Sequence, residues 1–478
     1  AWFGGLAAAH GAAVAAYRAD LAWVARPAEL AAFDSLLPEA RLGWVRGFWE
    51  RRALADFRTV PERLAEHVAR IRQAVDAFRL TDPVRDYNSV MPYRSEQDLV
   101  DDRGVIWVRH GPPDEVLESV AGAGVGCGYV SWIYRHGADA GLSVHFRSWF
   151  GLAAYRTSHQ FCSGRRDFRL VPGGAWIDHH AWWMAERDSL YAEWARAAGS
   201  GRRTTAARIE RELGAMEEAR LALAVGSDGQ PHRFAHDLGG VVRAYALAGP
   251  GRLLVAFGVP AARLEAVSAG DSRDSVFVLR LRLAALPARG HAVTLDTTLR
   301  YEAGRTLRPD HWVLGLLELP LAPGTWELRS LLTDHRPTAG SSGWQAGLEV
   351  PAPGVPSLGA LVLGSPGSEL AWASPAGTFP LSPLNSYRRG EEVALFVEAS
   401  GLPSGAAAEV RMRVHPAGRP DRTVLELRSE EPTAGGRLQV LRTLALGRLP
   451  PGTYVLQVEV TASGAGVPGR AQPFVVRK

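Results

Sequence analysis

From about residue 230 to its C-terminus the chain is a series of short apolar runs, mostly alternating with polar residues and broken by turns. Such a pattern admits little besides stacked antiparallel sheets. The runs fall at 276–283, 293–301, 313–319 and 325–332, then at 392–398, 408–414, 423–427, 439–446 and 453–460. Their spacing predicts sandwich domains. An internal echo predicts two of them. Leu321, Ala322, Pro323, Gly324, Thr325 and Trp326 return as Leu449, Pro450, Pro451, Gly452, Thr453 and Tyr454. The offset, 452 minus 324, is 128 residues, a fair size for one sandwich. In both copies Pro-Gly makes the turn and the aromatic residue opens a strand. Residues 351–356, with three prolines, read as the linker between them.

The first half has a different period. Residues 28–37 are amphipathic, and Pro38 opens a helix that runs on through Trp49 to residue 57. Thr59, Pro61 and Glu62 then form a helix start, with a capping threonine and a glutamate three residues on. Leu64, Val68, Ile71, Val75 and Phe78 follow as one helical stripe, with arginines and acids on the face expected to meet solvent. Beyond residue 100 the apolar residues cluster. Val105 to Val108, between Gly104 and Gly111, read as a strand, as do 129–134, 142–150 and 168–171. Residues 176–225 return to helix, carrying Trp182, Trp183, Leu190 and Trp194, then Ile209, Leu213 and Met216, with Gly226 as a stop. The expected architecture is multidomain, α+β followed by all-β. A helical region spans 1–98, and an α+β domain with a small antiparallel sheet and helical extension spans 99–228. Immunoglobulin-like β-sandwiches follow at 229–352 and 357–478.

Composition narrows the function classes. The chain is 46% hydrophobic and 22% charged over 478 residues, enough apolar material for several cores. The net charge is only +4, and no run of like charges marks a nucleic-acid surface. All basic residues but Lys478 are arginine, so no Gly-Lys-Ser/Thr phosphate loop exists. The glycine-rich 122–128 segment reads as a flexible loop. No stretch reaches 18 apolar residues, so no membrane span is expected. The chain opens on Ala1 rather than on Met, and a cleaved signal peptide is the expectation for it.

Two stretches carry a family resemblance. Phe48, Trp49, Glu50, Arg51 and Arg52 form one. The other runs from Asp102, Arg103 and Gly104 through Val105 to Arg109 and His110, then Gly111, Pro112, Pro113, Asp114 and Glu115. With Ser131, Trp132, Ile133 and Tyr134, and the late stretch 387–402, they resemble bacterial proteins of the GWxTD-domain family. The name motif itself is replaced here by Asp98, Leu99, Val100, Asp101 and Asp102, with only the final Asp kept. The Asp-Pro usual after the first stretch is also missing; Ala53 stands there. The resemblance implies a divergent member of a family of unassigned biochemistry. It also implies export, to the periplasm, the outer membrane surface or the outside of the cell. Its motif residues here are Trp49, Glu50, Arg51, Asp102, Arg103, Gly104, Gly111, Pro113 and Asp114.

No signature names a reaction. Asp102, Asp114 and His110 are the candidate catalytic groups. A strand from Gly104 to His110 would hold its terminal carboxylates about 20 Å apart, too far for a glycosidase pair. Asp102 is then expected to pair with Arg103 or cap a turn, and Arg109 and His110 to point to opposite faces. His110 lacks a recognisable nucleophile. His232 and His236 have helical ligand spacing, but Gly229, Pro231 and Gly239 crowd them. His179 and His180, with Glu186 and Asp188, are weaker still, so no metal or cofactor is expected. Cys127 and Cys162 read as either a cross-strand disulfide or two buried thiols. Trp149, Trp182, Trp183 and Trp194 read as helix-on-sheet packing or as sugar-stacking platforms. The leading expectation is a non-enzymatic envelope or extracellular protein that acts through protein contacts or self-assembly. The alternative is a glycan-binding or glycan-processing protein with accessory sandwiches.

Overall fold

A computed structural model describes residues 11–80, 97, 99–119, 129–134, 142–148, 168–170, 184–185, 189–229, 232, 234–249, 251–268, 275–287, 290–303, 310–462 and 465–478. The chain forms two compact units, 1–232 and 233–478.

In the first unit the described helices are α1 (Gly11–Leu21), α2 (Pro27–Asp34), α3 (Pro38–Ala55), α4 (Val60–Phe78), α5 (Asp102–His110), α6 (Ser189–Gly199) and α7 (Arg203–Gly226). The strands β1 (Glu115–Ser119), β2 (Tyr129–Tyr134), β3 (Leu142–Ser148) and β4 (Phe168–Leu170) make one antiparallel sheet in chain order. The start of α4 is capped as its sequence predicts. Thr59 N donates to Glu62 Oε2 at 2.8 Å, and Glu62 N donates back to Thr59 Oγ1 at 3.5 Å.

Two expectations fail here. Residues 102–110 are a helix, not a strand. Val105 and Val108 enter the core formed with α3 and α4, while Ile106 enters a second core against the sheet. The helix's apolar residues are the four-residue run Val105 to Val108, too short for the sequence to tell a buried helix from a strand. Asp101, not Asp102, is the capping residue, accepting from Arg103 N at 2.9 Å and pairing with the Arg103 guanidinium. The second failure is the face of α4. Its deepest stripe is Arg63, His67, Arg70 and Ala74, whereas Leu64, Ile71, Val75 and Phe78 are only partly buried.

The second unit is built as four layers. A six-stranded sheet has the order β10-β9-β12-β13-β5, with β8 also on β9. Its strands are β5 (His236–Asp237), β8 (Val267–Ser268), β9 (Ser275–Pro287), β10 (Val293–Ala303), β12 (Gly324–Thr333) and β13 (Ala339–Val350). Next comes a three-stranded sheet of β6 (Val241–Ala246), β7 (Arg252–Pro260) and β11 (Trp312–Pro320). A third sheet joins β14 (Ser357–Leu358), β15 (Val362–Gly364), β19 (Glu392–Ser400) and β22 (Arg437–Ala445). The fourth holds β18 (Ser386–Arg388), β20 (Ala407–Pro416), β21 (Leu425–Pro432), β23 (Gly452–Ala462) and β24 (Ala465–Arg477). A small hairpin of β16 (Ala371–Ser374) and β17 (Gly377–Pro380) covers the middle.

Three apolar cores separate these layers. Phe257, Leu281 and Leu328 lie in the first, and Leu395, Met412 and Leu456 in the last. Between them Tyr245, Leu254, Trp372 and Phe396 fuse the two sandwiches. Strands β7 and β19 are therefore buried on both faces; β7 is apolar from Leu253 to Pro260 and β19 from Val393 to Val397, with the buried Glu398 following. The echo persists in three dimensions. Trp326 Nε1 donates to Ala322 O at 2.9 Å and Tyr454 OH donates to Pro450 O at 2.8 Å. In each copy the aromatic residue bonds the carbonyl four residues upstream, before the Pro-Gly turn.

Candidate functional site

Arg52, which ends the first of the two resembling stretches, belongs to a largely buried cluster of charge. On α3, Phe48 and Trp49 are fully buried, Glu50 and Arg51 are exposed, and Arg52 turns inward. The Arg52 guanidinium lies 3.6 Å from the Phe48 ring centre, and pairs with Glu29 at 3.0 Å and Asp228 at 3.0 Å. Arg63 from α4 completes the cluster, reaching Asp228 at 2.7 Å and Asp56 at 3.0 Å. Burial by itself would raise the Asp228 carboxyl, but Arg52, Arg63 and Arg109 outweigh it and hold it down to about 2. Glu29 is likewise held to about 2, burial being overcome by Arg52 and by bonds from Arg26.

Arg109 and Arg70 act on backbone instead. Arg109 donates to Val24 O at 3.0 Å and Ala25 O at 2.9 Å, closing the turn between α1 and α2. Arg70 donates to Gly229 O at 3.0 Å and Arg109 O at 3.2 Å, tying the end of α5 to the segment after α7. The two motif glycines allow close approaches, Gly104 of Val100 and Gly111 of Arg70. A Cβ on Gly104 would sit 2.5 Å from Val100 Cγ2. Gly111 ends α5 at φ +76, a backbone region that suits glycine, with Arg70 directly beside it. Its carbonyl accepts from Tyr134 OH at 3.0 Å.

The catalytic candidates separate. Asp102 is 1% exposed in the first turn of α5. A nine-residue helix is about 13 Å long, so the 20 Å strand geometry does not apply. Asp114 is exposed past Gly111, Pro112 and Pro113, and its N donates to Ile133 O at 2.9 Å. His110 faces α7, with Nε2 2.7 Å from Ala224 O, and Arg109 faces the α1–α2 turn; helical placement, not strand alternation, separates the two. Burial lowers His110 to about 4, so it is neutral at physiological pH. His232 lies in a loop, Nε2 2.6 Å from Asp56 O, and His236 is exposed in β5, so the pair does not share a helix. Cys127, Cys162, His179, His180, Glu186, Asp188, Trp149, Trp182, Trp183 and the 122–128 loop lie outside the described residues. Trp194 is 5% exposed and donates to Glu210, so it offers no face to a sugar.

Sequence reasoning missed a second polar cluster, on the other face of the sheet. Ser131 and His145 are direct cross-strand partners on β2 and β3. Ser131 Oγ lies 2.8 Å from His145 Nδ1, and His145 Nε2 lies 3.0 Å from Glu217 Oε2 of α7. With Nε2–H donating to the carboxylate, Nδ1 accepts from the serine hydroxyl, the proton order of a nucleophile, base and orienter. Glu217 also accepts from Tyr191 OH at 3.0 Å, Ser143 Oγ at 3.1 Å and Arg220 at 2.6 Å. Burial acts to raise the Glu217 carboxyl, but His145, Arg220 and Tyr191 prevail and leave it below the usual range. Ser131, however, is 0% exposed, and Met184, Tyr191 and Leu213 wall that face. The geometry fastens α6 and α7 to the sheet; it presents no oxygen to a substrate. The available signal was Glu217 itself, placed on the apolar stripe of Ile209, Leu213 and Leu221.

No protein-family model and no curated protein matches this sequence. Among solved structures, the crystal structure of red sea bream transglutaminase is similar at 12% identity, over 55% of this chain and 34% of that one, with a TM-score of 0.16. The chain thus spans about a third of that protein's length, and a likeness at that score carries no conclusion about fold or chemistry. No described helix is long and apolar enough to cross a membrane.

Proposed function

We propose that this chain is a divergent GWxTD-domain protein that works through protein contacts, at the cell envelope or outside the cell. The observation that carries this reading is where the motif residues are used. Of the motif residues, Trp49, Gly104 and Gly111 are occupied in fastening α1 through α5 to one another and to the end of α7, as are Arg52 and Arg109 from the same two stretches, while Glu50, Arg51 and Asp114 are exposed. A motif spent on internal fastening supports a scaffold rather than a reaction centre. The repeated Trp326 and Tyr454 corners support two immunoglobulin-like sandwiches, a fold suited to presenting sheet edges and loops.

The test is the native mass of the protein released gently from its own cells, by light scattering after size exclusion, with co-eluting proteins identified. A mass well above 51.6 kDa, with stoichiometric companions or self-assembly, is expected. A clean monomer without companions overturns the reading.

A further inference from the structure

Among the described residues of the second unit, β10, β11 and β22 are long strands paired on one side only, and β10, the longest of the three, has a self-complementary sequence. Strand β10 pairs with β9 over its full length, Val293 against Ala285 through Ala303 against Ser275. Among the described residues no strand pairs with its outer side. The opposite end of the same sheet is closed by the two residues of β5, and the edge strand β21 ends on Pro432, which cannot donate a ladder bond. Along β10 the side chains alternate without a break. Val293, Leu295, Thr297, Leu299 and Tyr301 are partly buried, the four apolar ones packed on the core, while Thr294, Asp296, Thr298, Arg300 and Glu302 face solvent. No proline or lysine protects this edge.

We propose that β10 pairs antiparallel with β10 of a second copy, on a two-fold axis through Thr298. That register sets Asp296 opposite Arg300, and the same pair recurs across the axis. It also sets Leu295 opposite Tyr301 and Thr297 opposite Leu299, so the partly buried inner rows of the two copies meet. Within one copy Asp296 already holds Arg280 of β9 at 2.6 Å, whereas Arg300 has no carboxylate partner among the described residues. Pairing extends the row to Arg280, Asp296 and the second copy's Arg300, with charge alternating across three strands. Shifting the register by one residue would put core-facing residues opposite solvent-facing ones. This inference rests on the reading of the chain as an interaction protein and names one partner for it.

Sedimentation velocity on the purified full chain tests it. The mass should rise from 51.6 kDa toward twice that value as the concentration approaches about 100 µM. Arg300→Asp replaces two attractive pairs with two like-charge pairs and should weaken association about tenfold or more. Mixing Arg300→Asp with Asp296→Arg should restore it, because each new charge then meets its opposite across the axis. Hydrogen exchange of the β10 amides should slow with concentration in the wild type and in the mixture only. Circular dichroism and melting curves of each variant establish that it is folded. A wild-type dimer that Arg300→Asp leaves unchanged overturns the proposal, and so does a wild-type chain that stays monomeric. In the latter case, companions in the native complex keep the interaction reading alive; their absence ends both.

Discussion

The two units bury different things. The interior of 1–232 contains Arg52, Arg63, Arg70 and Arg109 with Glu29, Asp56 and Asp228, beside a second polar knot around Glu217. The interior of 233–478 is mainly three layers of aliphatic and aromatic side chains, with Glu398, Asn385 and His415 the largest buried polar groups among the described residues. Charge is stable inside a protein only as a complete set, since removing one member strands the others without water. Apolar packing degrades in proportion to the volume removed. The first unit should therefore fail abruptly at single atoms, and the second gradually with lost methylene groups.

The sharpest way to break this contrast is Asp228→Ala, which leaves Arg52 and Arg63 short of a counter-charge. A loss of about 3–5 kcal/mol is expected, confined to the first unit and visible as faster amide exchange there. Asp228→Ala with exchange unchanged in α3 and α4 would remove the basis for the contrast. Phe396→Ala, in the middle layer of the second unit, should cost about 3–4 kcal/mol by opening a cavity, with exchange accelerated in β7 and β19.

Acid should separate the units next. His110 is held at about 4 in the fold against an ordinary value of 6.5. Between those values the unfolded chain takes up a proton that the native chain refuses, so stability of the first unit falls as pH drops from 6.5 to 4. The loss is roughly 3 kcal/mol from this group. Below pH 4, Asp228 and Glu29, held at about 2, continue it as they are protonated. His110→Gln should flatten the upper part of the curve, read from proteolysis of the first unit across pH.

Smaller effects sharpen the comparison inside the second unit. Tyr454→Phe removes one corner bond and should cost about 1 kcal/mol by thermal melting. Arg280→Ala breaks an exposed pair and should change the melt by less than about 1 kcal/mol.

What could be read in advance follows the range of the forces involved. The Thr59–Glu62 cap involves residues three apart, and the Pro-Gly corners involve residues four apart; both were legible. The β-strand runs from 276 to 332 and from 392 to 460 were legible from their apolar patterning, whereas β6, β7, β13 and β24 were not read. Residues 102–110 were misread because a run of four apolar residues between glycines fits a short strand and a buried helix equally. The arginine stripe of α4 was misread because an arginine has the same local signature in solvent and in a core.

By itself, then, the sequence determined the local decisions: where helices are capped, where strands alternate, and that one corner is used twice, 128 residues apart (450 minus 322). Those depend on near neighbours along the chain. Only the tertiary structure decided which charges go inside. Arg52 is buried because Asp228 arrives from 176 residues away, and Ser131 and His145 because Glu217 comes over the sheet on another helix. A buried charge is set by its partner, and the partner is chosen by the fold.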